Sequence, residues 1–283
     1  MKNPYLPFAM RIDKIVIETE DYNIKTFRLS FLNKEDEESF NYLPGQFAQL
    51  SILGVGEAPF GIASSPTQIG GLEFTVNKAG VVTTALHNLE EGGIIWVRGP
   101  LGNCFPLEEL EGKNIVIIGG GFAFTTLRSL TNYILNEKHR GQFGKVIVIY
   151  GVRRPGLFLY KNELKEWERR PDCELYLTVD KADEVWQGKV GVVPNIIKEV
   201  NPSPENSYAV VCGPPVMIKF TLPVLRALGF LPERIILSLE MRMKCGIGIC
   251  GRCNIGNRYV CKDGPIFTLA QLSELPDELL IWR

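Results

Sequence analysis

Asn114-Ile115-Val116-Ile117-Ile118-Gly119-Gly120-Gly121 is the stretch that sets the architecture. Its unbroken apolar run reads as a strand buried on both faces, as in a parallel sheet covered by helices. The glycines end it in a turn where backbone can approach a ligand. Downstream the pattern alternates. Helices are expected over 125–136, 163–169, 193–200 and 216–228, and strands over 146–150, 175–179, 207–212 and 235–239. Such alternation predicts a doubly wound α/β parallel sheet with right-handed crossovers. A ligand belongs at the carboxyl ends of its strands. Those ends carry Gly119-Gly120-Gly121, Gly151-Val152-Arg153-Arg154 and Cys212-Gly213-Pro214-Pro215. Arg153 and Arg154 suit either a ribose 2′-phosphate or a solvated turn. Cys212 reads either as a small buried hydrophobe or as a site residue.

Upstream the chain changes character. Short strands over 12–18, 24–31, 47–53, 72–76 and 94–97, with turn residues between them, predict a small antiparallel β-barrel. The charged run Asn33-Lys34-Glu35-Asp36-Glu37-Glu38 is expected to be a solvated hairpin tip. Two segments fit ligand contact. Ala58-Pro59-Phe60-Gly61-Ile62-Ala63 is a proline-stiffened strand that can lie against a planar ring, or simply an edge strand. Gly80-Val81-Val82-Thr83-Thr84 leads into a helix whose first turn suits a pyrophosphate, with Thr83 as an alternative N-cap.

The C-terminal part holds four of the seven cysteines, Cys245, Cys250, Cys253 and Cys261, spaced C-x4-C-x2-C-x7-C among glycines. The first three spacings match a plant-type [2Fe–2S] loop. A structural zinc site is the alternative, but zinc sites more often use two C-x2-C hooks.

A net charge of −1 gives no electrostatic reason to expect nucleic acid as a partner. No apolar run approaches the roughly 20 residues of a membrane span, and Met1-Lys2-Asn3-Pro4-Tyr5 shows no signal-type apolar core, so no membrane insertion is expected. Free thiols and a cluster loop suggest a cytoplasmic location.

The order of these segments, with Pro44-Gly45-Gln46-Phe47 and Arg98-Gly99-Pro100-Leu101-Gly102, resembles the ferredoxin–NADP⁺ reductase superfamily. Met243-Lys244-Cys245-Gly246, Tyr259-Val260-Cys261 and Cys212-Gly213-Pro214-Pro215-Val216-Met217 narrow it to iron–sulfur flavoprotein subunits. These are similar to the γ subunits of sulfhydrogenases and NiFe hydrogenases, the B subunit of anaerobic sulfite reductase and the electron-transfer subunit of dihydroorotate dehydrogenase.

The resemblance implies an FAD-binding barrel (1–108), an NAD(P)-binding domain (109–239) and a [2Fe–2S] module (240–283). FAD would be held by Ala58, Pro59, Phe60, Gly61, Ile62, Ala63, Thr75, Val76, Asn77, Gly80, Val82 and Thr83. NAD(P)H would be held by Gly119, Gly120, Gly121, Thr125, Arg153, Gly213 and Pro214, with Cys212 beside the nicotinamide. Glu240 is a candidate for proton handling, or else an ion-pair partner of Arg242. The implied activity is diaphorase-type electron transfer between NAD(P)H, FAD and the cluster, to or from a partner redox subunit of hydrogenase, sulfite or sulfur reductase, or heterodisulfide reductase type. The alternative is a flavin–cluster wiring subunit that no longer turns over nicotinamide. Two departures bear on this. Ala58-Pro59-Phe60-Gly61 stands where relatives carry R-x-[YF]-[ST], and Ala123-Phe124-Thr125-Thr126 stands where they carry G-x-A-P.

Overall fold

The computed structural model describes residues 3–275. Packing divides the chain into two units, each built from more than one segment.

The first unit comprises the chain up to Phe105, Arg128–Tyr133 and Glu240–Pro265. Its strands are β1 (Phe8–Ile17), β2 (Ile24–Phe31), β3 (Phe47–Ile52), β4 (Gly56–Gly61), β5 (Leu72–Asn77) and β6 (Ile94–Leu101), with helices α1 (Lys34–Ser39) and α2 (Val81–His87). The strands form one antiparallel sheet in the order β4-β3-β6-β1-β2-β5. Among the described residues no ladder joins β4 to β5, although Ala63 N–H donates to Glu73 C=O beside them at 2.9 Å. Met10, Phe27, Leu29, Leu50, Phe74 and Ile95 fill the core on one face of the sheet. The charged run is not a hairpin tip. Asn33 Oδ1 accepts the Asp36 N–H at 2.8 Å, and three acidic residues occupy the first turn of α1. A side-chain cap and carboxylates at the positive end of the helix favour the turn over a loop.

The second unit follows the alternation. Its elements are α3 (Leu107–Leu110), β7 (Asn114–Gly120), α4 (Phe124–Leu135), β8 (Val146–Val152), α5 (Lys161–Glu168), β9 (Cys173–Val179), β10 (Lys189–Val190), α6 (Val193–Val200), β11 (Ser207–Cys212), α7 (Pro215–Ala227) and β12 (Ile235–Ser238). The middle of α4 packs in the first unit. Then come β13 (Asn254–Ile255), β14 (Arg258–Tyr259) and α8 (Val260–Asp263) of the first unit, and β15 (Ile266–Thr268) and α9 (Leu269–Ser273) of the second. The sheet order is β10-β9-β8-β7-β11-β12-β15. All neighbours are parallel except β12 and β15. The order reverses between β7 and β11, where Gly119 lies opposite Cys212. That is the switch point at which open α/β sheets bind ligands.

Leu107–Leu110 forms a short helix. Ile266–Thr268, inside the expected 240–283 module, adds an antiparallel edge strand to the α/β sheet. The last described helix is Leu269–Ser273, and residues 276–283 lie outside the described residues.

Candidate functional site

The cysteine loop lies against the sheet of its own unit. Gly246, Gly248 and Gly251 adopt φ of 71°, 77° and 71°, a region that L side chains avoid. That curvature turns N–H groups toward sulfur. Ile249 and Cys250 donate to Cys245 Sγ at 3.3 and 3.4 Å. Gly248 donates to Cys261 Sγ at 3.1 Å, and Cys261 N–H to Cys253 Sγ at 3.4 Å. Backbone N–H groups thus gather on the sulfurs of Cys245, Cys253 and Cys261. Among the described residues no three His, Cys, Asp or Glu side chains gather where one ion would be held. Cys253 and Cys261 are buried, whereas Cys250 is exposed. Burial alone would raise the Cys245 thiol, but the N–H groups of Ile247, Cys250 and Ile249, together with the Cys250 thiol, bring it down to about 6. Burial and the neighbouring Cys253 thiol push Cys261 up to about 12, against the pull of the Gly248 N–H.

The loop is tied down by residues that the sequence reading passed over. Gln49 Nε2 donates to Lys244 C=O at 3.3 Å. Arg98 Nη2 donates to Cys245 C=O at 2.9 Å and pairs with Glu57 Oε1 at 2.7 Å. Asn103 holds the far end, its backbone N–H on Gly264 C=O at 2.6 Å and its Nδ2 on Asp263 C=O at 3.0 Å. Gln46 braces this loop, its Nε2 donating to Gly102 C=O at 3.0 Å. A polar residue inside an otherwise apolar strand, as in Phe47-Ala48-Gln49-Leu50 and Trp96-Val97-Arg98, was the available signal.

Strand register explains the arrangement. Ala48 pairs with Phe60, and Leu50 with Ala58 and Val97. Ala48, Leu50 and Val97 belong to the core, and Phe60 packs against it. Gln49 pairs with Pro59 and Arg98, and Ser51 with Glu57, so these point to the opposite face, as strand alternation requires. Phe60, expected to offer its ring to a flavin, turns it to the core and stays half-buried. Pro59 shares the face on which the cysteine loop lies.

Several other predicted contacts are restricted to backbone. Ile62, Ala63 and Val76 are fully buried. Thr75 is buried, with its hydroxyl 2.8 Å from that of Thr26. Val82 packs its side chain on the core. The N-cap is Gly80 rather than Thr83; Thr83 stands at the third helical position, where its hydroxyl accepts from the Gly80 and Ala79 N–H groups at 2.7 and 2.9 Å. Asn77 is half-exposed at the end of β5. Gly80 has open space where a Cβ would stand. The segment after β4 is clamped from behind. Arg128 pairs with Glu73 at 2.6 Å and donates to Ala63 C=O at 3.2 Å. Ser129 Oγ donates to Ser64 C=O at 2.7 Å. Tyr42 OH meets Ser64 Oγ at 2.9 Å, and burial raises its phenol to about 12.

In the second unit a Cβ on Gly119 would stand 2.3 Å from Phe124, and one on Gly120 2.4 Å from Met217 Sδ. A Cβ on Gly213 would stand 2.1 Å from Met217 Cε. Gly121 has φ 56° and open space around it. These glycines therefore divide, Gly119, Gly120 and Gly213 serving close packing and Gly121 the turn. Thr125 does not cap α4, because it lies inside the first turn and is buried. Cys212 is buried, its Sγ 3.7 Å from Ser238 C=O. Pro214 and Arg153 are exposed, and Glu240 is exposed with no ion pair to Arg242.

Known proteins agree with this layout. Three family models match in succession: oxidoreductase FAD-binding domain over 13–105, oxidoreductase NAD-binding domain over 117–222, and iron-sulfur cluster binding domain of dihydroorotate dehydrogenase B over 240–273. Fold and domains together define a flavin- and NAD-linked iron–sulfur oxidoreductase subunit. Sulfhydrogenase 1 subunit gamma of Pyrococcus furiosus is 38% identical over 280 residues, covering 97% of this chain and 94% of that one. A probable dihydroorotate dehydrogenase B electron transfer subunit of Thermococcus kodakarensis is 33% identical over 247 residues, covering 87% and 90%. A chain of an NADH-dependent reduced ferredoxin-NADP oxidoreductase superposes with a TM-score of 0.73 at 24% identity, over 100% of this chain and 94% of that one. The chain belongs to the family of these electron-transfer subunits. Among the described residues no helix is long and apolar enough to cross a membrane.

Proposed function

We propose that the chain carries electrons between NAD(P)H and a partner redox subunit through FAD and a [2Fe–2S] cluster. The observation that carries this is a glycine-turned loop that aims N–H groups at the sulfurs of Cys245, Cys253 and Cys261, within a segment that matches an iron–sulfur cluster binding domain. The C-x4-C-x2-C spacing suits two irons, whereas a single tetrahedral zinc more often sits between two C-x2-C hooks. Cys245, Cys250, Cys253 and Cys261 would hold the cluster. The Ile249 and Cys250 N–H groups on Cys245 Sγ favour the thiolate that iron requires.

FAD would supply the exchange between hydride and single-electron chemistry. Pro59 and Gly61 would lie along its ring, with Ala58 and Phe60 behind them. Backbone of Ile62, Ala63, Thr75, Val76 and Val82, with Asn77, Gly80 and Thr83, would border the rest. Val81, an apolar residue 76% exposed beside the open Gly80 turn, fits a surface that a bound nucleotide covers. For NAD(P)H, the open left-handed Gly121 turn at the switch point suits a diphosphate, with Gly119, Gly120, Thr125, Gly213 and Pro214 around it and exposed Arg153 free to reach a phosphate. Cys212 would border the nicotinamide, and Glu240, unpaired and exposed, would handle protons. Partners of hydrogenase, sulfite or sulfur reductase, or heterodisulfide reductase type fit the kinship to complex subunits. A cytoplasmic setting fits Cys104, Cys173 and Cys212, which form no disulfide, beside a thiolate-held cluster.

A second reading has its own motive. Ala123 in the turn before α4, and Phe124 filling the space beside Gly119, narrow the approach of a dinucleotide. The chain would then wire flavin to cluster without turning over nicotinamide. Anaerobic addition of NADH or NADPH to the purified protein separates the two. The first reading expects flavin absorbance to bleach. No bleaching with either nucleotide, in protein that dithionite does bleach, leaves the second. Iron and acid-labile sulfide at about two each per chain are expected in both, and zinc in their place would sink both.

A further inference from the structure

We propose that Arg98 is a positioning residue for the iron–sulfur loop, and that its buried charge biases the cluster toward its reduced form. The inference rests on the reading of Cys245, Cys250, Cys253 and Cys261 as cluster ligands.

Arg98 lies on β6, on the sheet face opposite the core. Its side chain is 7% exposed. One guanidinium nitrogen serves two acceptors, Glu57 Oε1 at 2.7 Å and Cys245 C=O at 2.9 Å. The other donates to Pro4 C=O at 3.3 Å. The carbonyl it holds belongs to the first cysteine of the loop, the one whose sulfur collects the N–H groups of Ile249 and Cys250. Beside it Gln49 is wholly buried and grips the preceding carbonyl, Lys244 C=O. Its Oε1 is buried with no partner among the described residues. A buried polar atom left unpaired is destabilising. Gln49 is thus held in place at a cost, between Pro59 on one neighbouring strand and Arg98 on the other.

The charges do not simply cancel. Glu57 is 36% exposed and shares its field with water, while Arg98 is not. What remains at the Cys245 carbonyl is a net positive field. One-electron reduction adds negative charge to a thiolate-bound cluster, so a fixed cation there favours the reduced form. The same guanidinium fixes where the loop sits on the strand that carries Pro59.

The experiment uses the full chain, purified anaerobically, with iron and labile sulfide measured first. The cluster is titrated with dithionite under EPR, and the flavin is followed optically in the same sample. In Arg98→Met the equilibrium constant for one-electron reduction of the cluster falls about tenfold, or about 59 mV, while the flavin stays put. In Glu57→Gln, where the cation loses its screening partner, the cluster midpoint moves the opposite way by several-fold in the constant. Arg98→Lys keeps the charge without the fork. It restores part of the midpoint, and iron is lost to a chelator faster than from wild type.

A cluster midpoint that Arg98→Met does not lower, or that Glu57→Gln does not raise, overturns the proposal. So does a flavin midpoint that shifts equally. If Arg98→Met does not fold, the half-exposed Glu57→Gln decides alone. Wild-type protein without labile sulfide would instead sink the underlying cluster assignment, a separate result.

Discussion

Arg128 shows how much one side chain can hold. It is 6% exposed, paired to Glu73 and bonded to the carbonyl of Ala63 at the end of the proposed flavin strand. Removing one partner of a buried pair leaves the other charge stranded and costs about 3–5 kcal/mol. Arg128→Met should therefore lower the melting temperature and loosen bound flavin, measurable by calorimetry and by flavin fluorescence on dilution. His87 acts through pH. Burial holds its imidazole below the usual range, assisted by Lys25 and Lys78, against its hydrogen bond to Val76 C=O at 2.9 Å. A group whose pKa is lower in the folded chain contributes stability above its unfolded pKa, about 6.5, and loses it as pH falls through the folded value. Stability should decline below about pH 6.5, and His87→Gln should flatten that limb in urea melts taken across pH. Neither Arg128 nor His87 stood out in the sequence. Each lies in a helix that carries other polar residues as well, and its partner stands on a separate strand, 55 and 11 positions away.

At the scale of elements, the glycine turn after β7 illustrates why a motif underdetermines its use. Gly119, Gly120 and Gly213 look like ligand glycines, yet a methyl group on any of them meets Phe124 or Met217. Gly119→Ala should cost about 1–3 kcal/mol through overpacking against the fully buried Phe124. Gly120→Ala meets the flexible Met217 side chain first, with Pro214 Cδ next at 3.1 Å. Its cost should largely disappear in the Gly120→Ala, Met217→Ala double variant, read as a coupling energy from denaturant unfolding. A cost unchanged in the double variant would place the requirement elsewhere. The elements themselves were legible. The apolar runs of β7, β8 and β12 announced a parallel sheet, because strands buried on both faces need apolar residues at nearly every position. The short acidic helix α1 was not, since its capping bond is a matter of one side-chain rotamer.

Across the whole molecule the chain passes between its two units five times, at 105, 127, 133, 239 and 265. The cysteine segment belongs by packing to the antiparallel sheet, while the strand after it belongs to the α/β sheet. A deletion of 240–283 is therefore not the removal of an appendage. It uncovers Gln49 and Arg98 and leaves β12, all four of whose residues are buried, as an open edge. An open apolar edge templates association. The truncated chain should melt earlier and elute as oligomers in size-exclusion chromatography; a monomer of wild-type stability would contradict the interleaved packing.

By itself the sequence determined an antiparallel sheet followed by an α/β parallel sheet, and the four cysteines, because period, glycine turns and thiol spacing are local properties written along the chain. Only the tertiary structure decided what flanks those cysteines, which glycines serve packing, and where β15 pairs. Those depend on which face each strand residue takes and which distant partner stands opposite it, and no local pattern encodes either.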